Sequence, residues 1–380
     1  MPGVQEDRVG AANTSRGRQQ KESLIEIASA GVGAGDGAAG IQHVTFPRGS
    51  NRPLTEVYDT VLLDLDGVVY LGSHPVPGAG EAIGATRAGG MRIAFVTNNA
   101  SRTPHAIVDQ LKHLGVSATA NEVVTSAQAA ARLVAERVPA GCEVLVVGDT
   151  GLRQALREYG LRPVTTAAAG PAAVVQGHSP DLSYGLLAEG ALAVRQGAWF
   201  VASNSDITLP TVRGQLPGNG ALIQVIRAAT GQEPMVAGKP DLPLFHEALL
   251  RTGSRHPLFV GDRLDTDIEG AHRAGTDSVL VLTGVTGALD LVTASTHRRP
   301  TYVCTDLGGL LEAQPAVKCE GSQWTCGGWR VQWQGKRLEV GGGGDPADGL
   351  RALCAAAWSA YEPIDVEAVR AAVGMLGFDD

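Results

Sequence analysis

DTVLLDLDGVVY, residues 59–70, decides how this chain is read. Its run of valine and leucine is apolar at consecutive positions, then breaks into Asp64, Asp66 and Gly67. That pattern predicts a strand buried on both faces, stopping in a polar loop. Working outward, Gly80–Gly89 predicts a helix, and Met91–Val96 is a second apolar strand that ends in Thr97, Asn98 and Asn99. Thr103–Gly115 places Ile107, Val108, Leu111 and Leu114 at helical spacing and stops at glycine. The alternation continues through strands Glu143–Val147, Ala173–Gln176, Trp199–Ala202, Pro257–Gly261 and Ser278–Leu282. Between them lie helices Leu152–Tyr159, Ser183–Gln196, Ala221–Thr230, Leu242–Arg251 and Asp267–Ala274, while the Pro- and Gly-rich stretch Asn204–Gly220 reads as a loop. Strands alternating with single helices predict an α/β fold with a doubly wound parallel sheet.

The chain has 380 residues, enough for two or three domains. With 44% hydrophobic and 18% charged residues it can bury real cores, which excludes a wholly disordered protein. A net charge of −8 argues against a dedicated nucleic-acid or anionic-membrane binder. No run of 18 apolar residues is present, so no membrane span is expected. Five cysteines, none in a CxxC pair, do not make a disulfide framework; Cys319 and Cys326 are seven apart, too far for a zinc knuckle. The expectation is a reduced, cytoplasmic protein. Residues 1–54 read as a disordered leader, polar and glycine-rich with no sustained period. Beyond residue 316, where four of the five tryptophans fall, the pattern changes to two or three strands (Trp329–Trp333, Arg337–Val340), a glycine turn, and helices near Gly349–Tyr361 and Val366–Leu376. We read residues 316–380 as a small α+β appendage, with packing or homodimer formation as its default role.

Three of the predicted strands end in polar residues: VLLDLD, IAFVTNN and LFVGD. In an open parallel sheet ligands bind beyond the carboxyl ends of the strands. Asp64, Asp66, Thr97, Asn98 and Asp262 are therefore expected to converge on one crevice. Clustered carboxylates repel and call for a positive charge, and a three-carboxylate oxygen set suits Mg²⁺ better than zinc. Backbone N–H groups around Gly67-Val68 and Asn98-Asn99 would form an anion nest, and Thr97 adds a hydroxyl. The chain holds only five lysines, and Lys239 sits in Gly-Lys-Pro just before a helix. Dication, nest, hydroxyl and ammonium together fit a phosphoryl group. A nucleophilic carboxylate with a general acid two residues on splits a displacement into two steps, which favours hydrolysis over binding alone.

Thr97 follows Asp66 by 31 positions, room for one crossover helix, whereas Lys239 follows Thr97 by 142. A crossover needs only about 10–12 residues. The excess predicts an inserted α/β cap over residues 139–234, between core segments 55–138 and 235–315. Such a cap excludes water and selects the leaving group; Asn204–Gly220 is its candidate contact, with Arg213 as a second anion site or plain surface.

Asp64-Leu-Asp66-Gly67, Thr97-Asn98-Asn99, Gly238-Lys239-Pro240 and Gly261-Asp262-Arg-Leu-Asp-Thr-Asp267 resemble the four ordered motifs of the haloacid dehalogenase (HAD) superfamily. The resemblance is to its NagD-like subfamily IIA, which holds NagD-type nucleotidases, p-nitrophenyl phosphatases and phosphoglycolate phosphatase, and it covers about Tyr58–Pro315. It implies a HAD core with a type C2 cap and a phosphatase acting on a small phosphorylated metabolite. Glycerol 3-phosphate is the favoured substrate, with 2-phosphoglycolate or a nucleoside monophosphate as alternatives. It also implies Asp64 as nucleophile and Asp66 as acid/base, with Mg²⁺ held by the Asp64 side chain, the Asp66 carbonyl and Asp262. Thr97, Asn98, Asn99 and Lys239 would bind substrate, Asp267 would orient Lys239 or a metal-bound water, and Asp265 would face solvent. A homodimer through cap or appendage is the macromolecular partner expected.

Two other classes share part of this pattern. A receiver-type phospho-acceptor also gathers Asp, Thr and Lys at strand ends, but a general acid at Asp66 would shorten the life of its phospho-aspartate, and the long insertion fits it poorly. A non-catalytic binding module would require one of the four motifs to be broken, and none is. A phosphotransferase of the same fold differs in its acceptor alone.

Overall fold

Thr60–Leu63 is the fourth strand of a six-stranded sheet, and all four of its residues are buried. In the computed structural model, residues 46–378 are described, apart from 212, 336 and 361–363. The spatial order is Tyr302–Cys304, Asp277–Val281, Pro257–Gly261, Thr60–Leu63, Arg92–Thr97, Val123–Thr125, and every neighbouring pair is parallel. Val61 and Leu63 enter one apolar layer with Ile83, Ile107 and Leu111, while Leu62 enters the other with Ala130, Val134 and Phe245. Burial on both faces explains the unbroken apolar run. Truncating Leu62 to alanine would cost about 2–5 kcal/mol. The chain leaves this strand for Arg92–Thr97 on one side and returns through Pro257–Gly261 on the other. The order of strands reverses there, and the reversal opens a crevice at their carboxyl ends.

A second parallel sheet is ordered Met235–Val236, Trp199–Ala202, Ala173–Gln176, Glu143–Val147, Arg162–Val164; all but the first of these strands lie within the insertion expected over 139–234. Helix Ser126–Ala135 serves both sheets. Its start is a capping box, with Thr125 N–H donating to Gln128 Oε1 (2.9 Å) and Gln128 N–H to Thr125 Oγ1 (3.3 Å). Its small residues Ala127, Ala129, Ala130 and Ala131 join one apolar layer that holds Leu62 and Val96 of the core with Val144, Val175 and Val201 of the cap. A buried carboxylate adds a polar tie: Glu247 accepts from Arg132 of that helix, from Arg251 Nε (2.5 Å), and from the hydroxyl of the cap residue Tyr159 (2.8 Å).

Beyond the core edge, strands Lys318–Glu320, Gln323–Cys326, Trp329–Gln334 and Arg337–Gly342 make an antiparallel sheet in sequence order. Helices Pro346–Trp358 and Val366–Met375 follow. Helix Pro346–Trp358 is buried from Ala347 onward and packs with Ile268, Leu280 and Val303 of the core. The buried Arg351 fastens it: Nε and Nη2 donate to Val303 O (3.0 and 2.6 Å), Nη2 to Gln314 Oε1 (3.0 Å), and Nη1 to Asp348 Oδ1 (2.5 Å).

Three expectations need correction. Residues 46–54 are not leader. Ser50–Pro53 pairs antiparallel with Ala313–Gln314, and Leu54, fully buried, opens a helical turn. The polar SNRP segment carries no local strand signal because its partner lies at the far end of the core; the rest of the expected leader, residues 1–45, lies outside the described residues. Asn204–Gly220 is not only loop, since Thr208–Thr211 and Gly214–Pro217 pair as a ribbon. A two-stranded ribbon has free edges on both sides and tolerates the proline that suggested a loop. The appendage has four strands rather than two or three. Lys318–Glu320 is exposed throughout, so no apolar alternation marks it.

Candidate active site

The end of strand Thr60–Leu63 places the first carboxylate. Asp64 N–H extends the ladder to Val260 O (2.9 Å), and its side chain is buried. Lys239 Nζ lies 2.5 Å from Asp64 Oδ1 and 2.8 Å from Asp267 Oδ1, with all three residues buried. Asp267 Oδ2 accepts from Arg263 N–H (3.1 Å), so both of its oxygens are engaged. Burial alone would lower the pKa of the Lys239 ammonium, but the Asp267 and Asp64 carboxylates outweigh that and raise it. Lys239 is therefore a fixed positive charge.

Asp262 follows strand Pro257–Gly261 and is 1% exposed. Its Oδ2 accepts from Val285 N–H (2.7 Å), while its Oδ1 is buried without a hydrogen-bond partner. Such an orphan is costly unless something else binds it. Burial and the nearby Asp267 carboxylate push its pKa up to about 7. Asp64 is raised well above the ordinary carboxylate range by burial, against the pull of Lys239 and with help from Asp267 and Asp262. Oxygens of Asp64, Asp262 and Asp267 lie within 4.8 Å of one another. With all three carboxylates ionised, one ammonium would leave two negative charges uncompensated in a buried place. A hard dication with oxygen ligands removes that surplus and engages the orphan oxygen, so the residues fit Mg²⁺.

Asp66 stands apart, exposed in the crevice and outside that oxygen cluster. The protein crowded around it raises its pKa, opposed by Arg102 and Lys239. A solvent-facing carboxyl whose pKa is raised suits proton donation to a leaving group. The turn after it depends on Gly67, at φ +83°, where a Cβ would fall 2.3 Å from Asp262 Oδ2. Glycine is needed there both for its backbone and for space.

Thr97 ends strand Arg92–Thr97, buried, and its Oγ1 accepts from Asn99 N–H (3.1 Å), which leaves the hydroxyl hydrogen for an acceptor in the crevice. The Asn98 carboxamide clamps Lys239 at both backbone atoms: Oδ1 accepts from Lys239 N–H (2.8 Å) and Nδ2 donates to Lys239 O (3.1 Å). Asn99 uses its Oδ1 locally, accepting from Ser101 and Arg102 N–H groups (both 3.1 Å). Its side-chain oxygen thus holds the turn that follows. Asp265 is exposed and paired with Arg263 (2.9 Å).

Comparison with known proteins settles the family. Residues 61–162 match the family described as haloacid dehalogenase-like hydrolase, and residues 236–310 a second HAD-hydrolase-like family. The chain is 43% identical over 332 residues to the D-glycerol 3-phosphate phosphatase of Mycobacterium tuberculosis, covering 83% of this chain and 92% of that protein. It is 39% identical over 233 residues to the 5'-nucleotidase YutF of Bacillus subtilis, covering 61% and 90%. Among solved structures, the glycerol phosphate phosphatase of M. tuberculosis in complex with magnesium superposes with a TM-score of 0.78 at 43% identity, covering 86% of this chain and 99% of that one. The chain belongs to the haloacid dehalogenase-like hydrolase family.

It is a HAD-type phosphatase, and its buried carboxylates fit Mg²⁺, the ion bound in the solved mycobacterial relative. Bound there, a dication supplies charge neutralisation for the phosphoryl oxygens. Several residues that position this phosphatase site had escaped the sequence reading. The loop after strand Asp277–Val281 wraps Asp262: besides Val285, Thr286 N–H donates to Asp262 O (3.1 Å), and Thr283 Oγ1 to Gly67 O (2.5 Å). A Cβ on Gly284 would lie 2.0 Å from Asp262 Oδ2. The small residues of TGVTG, 283–287, following a predicted strand, were the available signal. Asn204 and Asp206 of the cap also reach Asn98.

Residues 326–377 match a GCN5-related N-acetyltransferase-like domain. In this chain the start of helix Pro346–Trp358 is occupied by its own acids: Asp345 accepts from Ala347 N–H (3.0 Å) and Asp348 is paired with Arg351. That arrangement argues for packing rather than anion binding.

Proposed function

We propose that the protein hydrolyses glycerol 3-phosphate to glycerol and inorganic phosphate through an aspartyl-phosphate on Asp64. The observation that carries the reading is the convergence of Asp64, Lys239 and Asp262 at one lip of the sheet around an unpartnered carboxylate oxygen. Asp64 attacks phosphorus while Asp66 gives its proton to the departing glycerol oxygen; Asp66 then takes a proton from water, and the hydroxide releases phosphate from Asp64. Mg²⁺ is assigned to the Asp64 and Asp262 side chains and the Asp66 carbonyl. Thr97, the Asn98 amide and Lys239 hold the phosphoryl oxygens, and Asp267 fixes Lys239.

The choice of glycerol 3-phosphate rests on the mycobacterial relative, whose length is 92% covered. Phosphoglycolate and nucleoside monophosphates are the alternatives, the latter supported by the Bacillus nucleotidase. We place the working division at a core of 55–138 and 235–315, a cap of 139–234 and an appendage of 316–380. The site of action we infer is the cytoplasm, in glycerophospholipid turnover, supported by five free thiols. A homodimer is supported by the exposed Tyr184 and Leu192 on one cap helix; light scattering tests it. The deciding experiment is phosphate release across the three substrate classes with Mg²⁺ or EDTA. A kcat/KM for glycerol 3-phosphate above both alternatives is expected, and a preference for either alternative overturns the choice.

A further inference from the structure

We propose that Asp206, a cap residue, is a positioning residue for the phosphoryl site: it accepts from the Asn98 carboxamide and so ties the seating of the cap to the alignment of Asn98 and Lys239. The inference rests on the site roles given under Proposed function. Asn98 Nδ2 donates to Asp206 Oδ1 and Oδ2, each at 3.3 Å, and to Lys239 O at 3.1 Å, while Asn98 Oδ1 accepts from Lys239 N–H at 2.8 Å. Both hydrogens of the amide nitrogen therefore have acceptors. A flipped amide would turn its oxygen toward the Asp206 carboxylate and its NH₂ toward the Lys239 N–H, two repulsive contacts. Asp206 thereby locks the one orientation that grips Lys239, whose ammonium stands 2.5 Å from the nucleophile.

Asp206 is itself fixed to the cap. Its N–H donates to Asn204 Oδ1 (3.2 Å), and its carbonyl accepts from Gly220 N–H (2.8 Å) at the start of helix Asn219–Thr230. Gly218 packs so closely that a Cβ would lie 2.2 Å from that carbonyl. Asn204 adds a second link, Nδ2 to Asn98 O at 2.8 Å. The cap thus holds Asn98 by side chain and backbone together, and a displaced cap releases Asn98 from both. Misalignment of this order costs about tenfold to a hundredfold in rate.

The test compares the wild-type protein with Asp206→Ala and Asp206→Asn, using glycerol 3-phosphate, p-nitrophenyl phosphate and orthovanadate with Mg²⁺. The expected result for Asp206→Ala is a tenfold or greater loss of kcat/KM, equal for both esters, with the vanadate inhibition constant rising in parallel. Asp206→Asn, a neutral and weaker acceptor of nearly the same shape, should fall between. A loss confined to glycerol 3-phosphate would make Asp206 a reader of the leaving group and overturn the proposal. So would unchanged vanadate inhibition with lowered thermal stability, the mark of a merely structural residue. If the alanine variant does not fold, the asparagine variant decides, and wild-type kinetics from it overturn the proposal. A wild-type protein inactive on both esters defeats the underlying phosphatase roles and this inference with them; an active one with unaffected variants defeats this inference alone.

Discussion

Two buried charge clusters in this protein each set one cation among acceptors and reach opposite balances. In the crevice, Lys239 faces Asp64 and Asp267 while Asp262 keeps an oxygen without a partner. In the appendage, Arg351 meets Asp348, Gln314 and the Val303 carbonyl at 2.5–3.0 Å, so its guanidinium is met by acceptors on three sides. A buried cluster with surplus charge and an orphan acceptor is tolerable only when something else completes it. One whose groups are all matched fastens two pieces of chain and needs nothing further. The difference separates a working site from a fastening without reference to shape.

The largest expected effect lies on the crevice side. Asp64→Asn should lower steady-state turnover about 10⁴-fold or more, because the covalent route is lost. Its melting temperature in metal-free buffer should equal or exceed wild type. The folded-state pKa of Asp64 is raised, chiefly by burial, so its ionised form subtracts stability at neutral pH. Retained turnover, or a marked fall in melting temperature, would break the comparison.

Next comes the metal. EDTA should abolish phosphate release. Mg²⁺ titrated into the apo-protein should raise the melting temperature, by an amount equivalent to about 2.7 kcal/mol at a hundred times Kd. Asp262→Asn should suppress that shift, read by scanning calorimetry.

The appendage should show the reverse pattern. Arg351→Met leaves Asp348 buried and unpaired, a loss of about 3–5 kcal/mol of stability. Its kcat/KM should stay within about twofold of wild type at temperatures where it remains folded. Denaturant unfolding and kinetics on one preparation check both halves; a large catalytic loss would erase the distinction.

Glu247 gives the smallest effect and sharpens it. Hydrogen bonds from Arg132, Arg251 and Tyr159 overcome burial and hold its carboxyl below its ordinary 4.5. A depressed carboxyl pKa contributes stability above the unfolded value that is lost as pH falls through the folded one. Glu247→Gln should therefore cost about 1.5–3 kcal/mol near neutrality. The gap from wild type should hold down to about pH 5 and close below it; a constant gap would deny Glu247 its matched charge.

How far these features could be read beforehand depends on the distance over which they are encoded. Asp64, Thr97 and Asp262 were legible because each ends an apolar run, and strand ends in a parallel sheet share one side. The cap was legible from spacing alone. Asp262's cradle at Thr283–Thr286 was not, since backbone N–H groups leave no residue-type signature. Nor was the Asp206 contact, which joins two loops through a carboxamide whose orientation only the fold determines. Ser50–Pro53 escaped for the same reason: its strand character comes from Ala313–Gln314 and from nothing nearby in the chain.

The alanine-rich helix Ser126–Ala135 carries a consequence for traffic. Because its methyl groups complete an oily seam continuous from Leu62 to Val201, the lid cannot swing away as a rigid door without wetting that seam. The exposed Ile207, and Leu209 and Leu216 of the neighbouring ribbon, stand outside that seam.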